Sequence, residues 1–244
     1  KSFMGKTIRS LLAVDGVSFC IHQGETLGLI GESGCGKSTL GRSIIRLVRS
    51  RKGNIVFMGD SVNEIRGRRL NEYRRSVQFI FQDPFSSLNP GMRVGRVLTE
   101  VMRVHGLHGG KSRRVEATVD LLEKVGLQPD HFYRYPHEFS GGQRQRIGLA
   151  RALATQPKLV ICDESVSSLD VSVQAQILNL LNELKESFGL TYLFISHDLA
   201  VVRYMADRIM VMKDGKLLET ETAEKLFNNP ATEYTRELIS SIPR

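Results

Sequence analysis

One nonapeptide constrains this chain more than any other feature: Gly31-Glu32-Ser33-Gly34-Cys35-Gly36-Lys37-Ser38-Thr39, which fits G-x-x-x-x-G-K-[ST]. Its glycines let the backbone turn so tightly that successive N–H groups converge on one point, and a helix starting there adds the positive end of its dipole. That point attracts phosphate. Lys37 is expected to reach the β- and γ-phosphates of a nucleotide, and the Ser38 hydroxyl to ligate Mg²⁺. The flanks agree, since Thr26-Leu27-Gly28-Leu29-Ile30 reads as a buried strand and Leu40 to Val48 has helical spacing. A plain glycine-rich turn needs neither flank.

The chain of 244 residues is long enough for one large domain or two small ones, with a substantial core. A hydrophobic fraction of 41% beside 25% charged residues is ordinary globular composition and excludes disorder and fibrous repeats. The net charge of +8 concentrates between Arg42 and Arg75 and between Arg103 and Arg114. Neither tract interleaves aromatic residues as a single-strand-binding groove does, so no specific nucleic-acid partner is expected. Cys20, Cys35 and Cys162 lack metal-ligand spacing and point to a reducing, cytosolic setting. No run of about 18 apolar residues could cross a bilayer, so a membrane role must come through partners.

Along the chain, the apolar residues around Val17 and Ile21 predict a strand pair before the turn Gln23-Gly24-Glu25. Gly53 to Asp60 reads as another strand, followed by a basic helical stretch to Arg75 and the strand Val77 to Gln82. Character changes at Asp83-Pro84. From Val94 to Gly126 apolar residues recur at helical spacing, so residues 83–155 read as a helical subdomain inserted into a core of residues 1–82 and 156–244. That insert ends on Phe139-Ser140-Gly141-Gly142-Gln143. Ser140 can cap the helix through Leu153, and the two glycines beside it expose backbone donors, either as a second anion site or as an ordinary helix start.

Leu159 to Glu164 is an apolar strand ending in two carboxylates. In a phosphate-loop protein such a strand usually lies beside the loop, bringing Asp163 to the metal. Adjacent strand residues point to opposite sides, which leaves Glu164 to orient or deprotonate the attacking water. Ser168-Leu169-Asp170 leads into an amphipathic helix through Lys185, and Thr191 to Ser196 is a further buried strand with His197 at its exit. Alone, that histidine is a structural residue. At the same sheet edge as Gly31, Gln82 and Asp163 it becomes a γ-phosphate contact, because ligands gather at the carboxyl ends of parallel strands. Two strands follow, hinged on Lys213-Asp214-Gly215, and then two short helices, Ala223 to Phe227 and Thr232 to Ser240.

In this order the motifs resemble those of the nucleotide-binding subunits of ATP-binding cassette (ABC) transporters over nearly the whole chain. Gly31 to Thr39 matches the Walker A loop, Gln82 the Q-loop, Phe139 to Gln143 the signature, Leu159 to Glu164 the Walker B strand, Asp170 the D-loop and His197 the switch histidine. The resemblance implies an α/β fold: a P-loop NTPase (RecA-like) core with an antiparallel β part and the inserted α-helical subdomain. It implies an ATPase holding ATP through Gly31, Ser33, Gly34, Cys35, Gly36, Lys37, Ser38 and Thr39, and Mg²⁺ through Ser38, Gln82 and Asp163. Lys37, Gln82, Glu164 and His197 take the catalytic roles. Because such subunits work head to tail, Ser140, Gly141, Gly142, Gln143 and Asp170 serve nucleotide shared with a second subunit.

Phe81 to Pro90, Tyr135-Pro136-His137-Glu138 and the tail from Glu233 through Ile242-Pro243 are similar to the oligopeptide, dipeptide and nickel importers. In that class two different ATPase subunits usually pair, a homodimer being the other arrangement. They sit on the cytoplasmic face of the cell membrane, as peripheral subunits beneath two permeases fed by an extracytoplasmic binding protein. The segment after Gln82 is then expected near the permease's coupling helix. Three features depart from the pattern: Ser165-Val166 stands where Pro-Thr is common, the only aromatic far enough upstream to match the adenine-stacking position, Phe3, falls in a variable stretch so that the base contact is unassigned, and no cysteine cluster follows the tail. The rival readings are a soluble cassette ATPase acting on DNA or ribosomes, an exporter ATPase, and a P-loop kinase. Two cassettes in one chain, zinc-binding cysteine pairs or a long coiled coil mark the first of these, and the sequence has none of them.

Overall fold

The structure, a computed structural model, describes residues 12–83, 88–167 and 169–241. In chain order its first half forms β1 (Thr26–Ile30), α1 (Lys37–Ile44), β2 (Val56–Phe57), β3 (Asp60–Ser61), α2 (Gly67–Ser76), β4 (Val77–Ile80), α3 (Val94–Val104) and α4 (Lys111–Lys124). Then come α5 (Gly141–Leu153), β5 (Leu159–Asp163), α6 (Val171–Phe188), β6 (Thr191–Ile195), α7 (Leu199–Met205), β7 (Arg208–Lys213), β8 (Lys216–Thr222), α8 (Ala223–Asn228) and α9 (Glu233–Ser240).

Six strands make one sheet in the order β4-β5-β6-β1-β7-β8. All neighbours are parallel except β7 and β8, which form an antiparallel hairpin turned on Asp214-Gly215. β1, β5 and β6 are buried at every position, as strands covered on both faces must be, and this is why they read as unbroken apolar runs. Alternation sends their side chains to two separate cores. Leu27, Leu29, Phe79, Ile161, Leu193 and Ile195 pack toward α1 and α2, whereas Ile30, Ile80, Val160, Cys162, Tyr192 and Phe194 pack toward the other helices.

Helices α3 to α5 fall between β4 and β5 in the chain. Leu98, Met102, Leu122 and Ile147 from these helices share one core with the sheet residues Val160, Tyr192 and Phe194. On the opposite face α1 lies unusually close to the sheet at Gly41, where an added Cβ would stand 3.0 Å from Ile195, 3.2 Å from Phe79 and 3.3 Å from Ile161. A side chain there would be tight, requiring these neighbours to give by a few tenths of an ångström.

Four expectations change. Described residues 12–25 contain no strand; Val14, Val17, Phe19 and Ile21 instead lie half-buried against the core beneath α1 as an irregular segment, although the turn at Gln23-Gly24 is present. The stretch 53–60 is not a single strand but the start of a two-stranded hairpin, β2 with β3, because Met58 and Gly59 both take positive φ and reverse the chain. α1 stops at Ile44 instead of Val48, since Arg46 adopts φ 61 and ends the helical ladder. β4 ends at Ile80, two residues short of Gln82, which therefore stands beyond the strand as an exposed residue.

Candidate active site

The parallel strands deliver their carboxyl ends to one edge, and the residues singled out by sequence collect there. β1 ends at Ile30, and Gly31 opens the phosphate loop with φ 150, where a Cβ would lie 2.1 Å from the carbonyl oxygen of Met212. Glycine is required there. The buried Lys37 folds back over the loop, its Nζ donating to the carbonyls of Gly31 at 2.7 Å and Glu32 at 2.9 Å. Phosphate oxygens would be better acceptors for that ammonium than these two dipoles. Ser33 and Gly34 are exposed on the loop, Cys35 and Gly36 are buried, and Thr39 lies half-buried on the first turn of α1.

Ser38, also on that turn, donates its hydroxyl to Asp163 Oδ1 at 2.8 Å, and Arg42 one turn later reaches Asp163 Oδ2 at 3.9 Å. Asp163 is only 3% exposed. Burial pushes its carboxyl above the ordinary range, while Ser38, Arg42 and Lys37 pull the other way without overcoming it. A hydroxyl and a carboxylate are the hard oxygen donors that Mg²⁺ takes from a protein, with waters and phosphate oxygens completing its shell. Among the described residues no group of three or more His, Cys, Asp or Glu side chains could cage an ion. The sparse pair fits a nucleotide-bound Mg²⁺.

Glu164, the next residue, faces a different set of partners, as strand alternation predicts. Its N–H donates to the carbonyl of Ile195 at 2.9 Å, extending the ladder between β5 and β6 by one step, and its φ of 47 turns the chain away afterwards. The carboxylate is thereby fixed between two side chains from neighbouring strand ends: Gln82 Nε2 donates to Oε2 at 3.0 Å, and His197 Nδ1 lies 3.1 Å from Oε1. Gln82 and His197 are exposed, whereas Glu164 is mostly covered.

The signature residues share no hydrogen bond with this cluster among the described residues. Ser140 caps α5 by accepting from Gln143 N, and the Ser140 N–H in turn donates to Gln143 Oε1, a reciprocal box that starts the helix at Gly141. The S-x-x-Q spacing was the available signal for it. Across from them, Gly142 sits so close to Val173 that a Cβ would meet its Cγ1 at 2.5 Å, and Gly141 faces Leu169. Asp170 is the exposed N-cap residue of α6. Among the described residues, Ser140 and Gln143 hydrogen-bond to each other and not to the phosphate loop. Phe3, Pro84 to Ser87, Ser168 and Ile242-Pro243 lie outside the described residues. Two contacts carried no sequence signal: Arg42 on Asp163, and the hydroxyl of Tyr234 on the backbone of Glu32.

A phosphate loop between the central strand and first helix of a parallel sheet, with an acidic strand end bonded to its serine, defines a P-loop nucleoside-triphosphatase. Comparison with known proteins narrows this. Residues 14–167 match the ABC transporter family, and the chain belongs to it. It is 55% identical over 232 residues to the oligopeptide transport ATP-binding protein OppF of Bacillus subtilis (strain 168), covering 95% of this chain and 76% of that one. It is 50% identical over 240 residues to the glutathione import ATP-binding protein GsiA of Escherichia coli (strain K12), covering 98% of this chain but 38% of that protein. Among solved structures, cbiO1 from Clostridium perfringens superposes with a TM-score of 0.79 at 25% identity, over 95% of this chain and 90% of that one. The ATP-binding cassette MJ0796, solved as a post-hydrolysis dimer with ADP and Pi, gives 0.75 at 30% identity, over 86% and 90%.

Proposed function

We propose that this chain binds and hydrolyses ATP to power peptide uptake through an ABC importer, with Glu164 as the base that prepares the attacking water. The observation that carries the chemistry is the Glu164 carboxylate, held between Gln82 and His197 one residue past the Ser38–Asp163 pair. Lys37 and the loop amides bind the phosphates, and Ser38 and Asp163 hold the ion, joined by Gln82. When bound, Mg²⁺ supplies the positive charge that offsets charge building on the transferred phosphoryl group. Glu164 takes a proton from water, and His197 keeps the carboxylate aimed and touches the γ-phosphate. The family names of the relatives support the peptide branch of the expected importer class.

Ser140, Gly141, Gly142 and Gln143 close one nucleotide site of a head-to-tail pair from the opposite subunit, and Asp170 lines the seam. That Ser140 and Gln143 hydrogen-bond to each other and not to their own chain's loop supports this, as does the dimeric form of the superposed cassette bound to ADP and Pi. Residues 83–155 form the arm that carries them, and 1–82 with 156–244 the catalytic core. The pairing subunit is a homologue more often than an identical copy. Two permeases and an extracytoplasmic binding protein complete the assembly, with the chain peripheral on the cytoplasmic face. Among the described residues no helix is long and apolar enough to cross a membrane.

The test joins membrane co-purification with phosphate release. Permeases and a binding protein should accompany the chain, and the complex should hydrolyse ATP only with Mg²⁺ present. Phosphate release indifferent to a chelator, or recovery with ribosomes and no permease, would overturn the proposal.

A further inference from the structure

The phosphate loop is gripped from outside by the last third of the chain. The turn between β7 and β8 places Gly215 so that its N–H donates to the carbonyl of Cys35 at 2.9 Å. The second grip comes from α9, where the hydroxyl of Tyr234 accepts from the N–H of Glu32 at 3.2 Å across 202 positions of sequence. Tyr234 is 7% exposed, and the ammonium of Lys213 sits 4.4 Å from the centre of its ring. Burial chiefly, together with the Glu32 carboxylate, holds the phenol above its ordinary pKa, so it stays neutral.

α9 is itself latched. Glu219, on β8 and 8% exposed, accepts from the N–H of Ala231 at 2.7 Å, from the N–H of Thr232 at 3.2 Å and from the hydroxyl of Thr235 at 2.7 Å. Thr232 caps the helix by accepting from Thr235 N. Three bonds to one buried carboxylate thus fix the first turn of α9, and that turn carries Tyr234. The region lies beyond the segment 14–167 that matches the family.

A loop that binds phosphate through its amides needs them aimed inward, and an amide that turns outward must be satisfied elsewhere. We propose that Tyr234 is a positioning residue for nucleotide binding: by holding the Glu32 amide outward it fixes the loop entrance, leaving the inner amides and Lys37 to the phosphates. Glu219 and Thr235 act through it. Helix α9 is therefore part of the nucleotide site. This rests on the ATP-site reading above, and the experiment separates the two.

The full chain is titrated with a fluorescent ATP analogue and competing ATP, as wild type, Tyr234→Phe and Thr235→Val. Tyr234→Phe keeps the ring over Lys213 and loses only the hydroxyl. Its Kd for ATP should rise roughly five- to tenfold, the effect of one backbone hydrogen bond. In the assembled transporter KM should rise alike with kcat within about twofold, the mark of lost uniform binding. Hydrogen exchange without nucleotide should quicken in the peptide spanning residues 31–37 and stay unchanged in β5 and β6. Thr235→Val, which leaves the phenol in place, should shift Kd the same way by less. Wild-type Kd and unchanged loop exchange in Tyr234→Phe overturn the inference while the ATP site stands. A wild-type chain that does not bind ATP overturns both.

Discussion

The exchange Glu164→Gln isolates the proposed base, because the contacts of residue 164 can survive it. A glutamine there keeps an oxygen to accept from Gln82 Nε2 and sets its amide nitrogen against His197 Nδ1, in place of contacts now 3.0 and 3.1 Å long. The backbone bond to Ile195 is untouched. The fold should lose less than about 1 kcal/mol, the range of a single rearranged hydrogen bond. An amide, however, cannot take a proton from water. General-base catalysis contributes roughly 10²- to 10⁴-fold, so hydrolysis should slow by that factor, or about 3 to 5 kcal/mol of activation free energy. The assay is single-turnover phosphate release alongside equilibrium ATP binding and gel filtration. ATP should bind with wild-type affinity, and with the pairing subunit present a closed dimer should accumulate. Turnover within a few-fold of wild type would remove Glu164 as the base. Loss of ATP binding would show instead that the carboxylate shapes the site.

Three further outcomes follow from the same geometry. Lys37→Ala removes the loop's one ammonium, and loss of a charge-assisted contact should weaken ATP binding roughly 10- to 100-fold by titration; unchanged affinity would contradict the role given to Lys37. Asp163 has a raised folded pKa, so its contribution favours the fold below the ordinary carboxylate range and is lost as pH rises through the folded value. Asp163→Asn should therefore melt higher than wild type near neutral pH without nucleotide, match it near about pH 4, and lose Mg²⁺-dependent hydrolysis; a lower neutral-pH melting point would refute the buried charge as a cost. Alkylation followed by mass spectrometry should label the exposed Cys20 first and leave Cys162 unmodified, since burial pushes that thiol up to about 12. Cys35, buried in the loop with Lys37 Nζ 3.9 Å from its sulfur, should label slowly and be protected by ATP; equal labelling with and without ATP would count against its place in the phosphate site.

The chemistry of the site was legible because it is local in sequence. Loop, helix start and carboxylate pair each occupy fewer than about ten consecutive residues, and parallel-sheet logic alone brings their strand ends to one edge. Glu164 and His197 are paired by the register of β5 and β6, which an apolar run does not encode; what was readable was that both stand at strand exits. The misses have physical causes. Met58 and Arg46 take left-handed backbone without the glycine or asparagine that usually signals it, so a hairpin and a helix end went unseen. Residues 12–25 alternate like a strand because they pack one side on a core, yet no described strand pairs with them. Tyr234 reaches the loop from the far end of the chain, and only the folded β7–β8 hairpin makes that distance short.

Gly41 has a consequence for the metal pair. It lies one turn along α1 from Ser38, and its bare backbone rests on Phe79, Ile161 and Ile195. The gap between the serine hydroxyl and the strand that ends in Asp163 is thus gauged by a hydrogen atom pressed on greasy floor, well away from either ligand. One methyl at position 41 is a shim where those three side chains hold their places, spreading the pincer without altering a single group that grasps the ion.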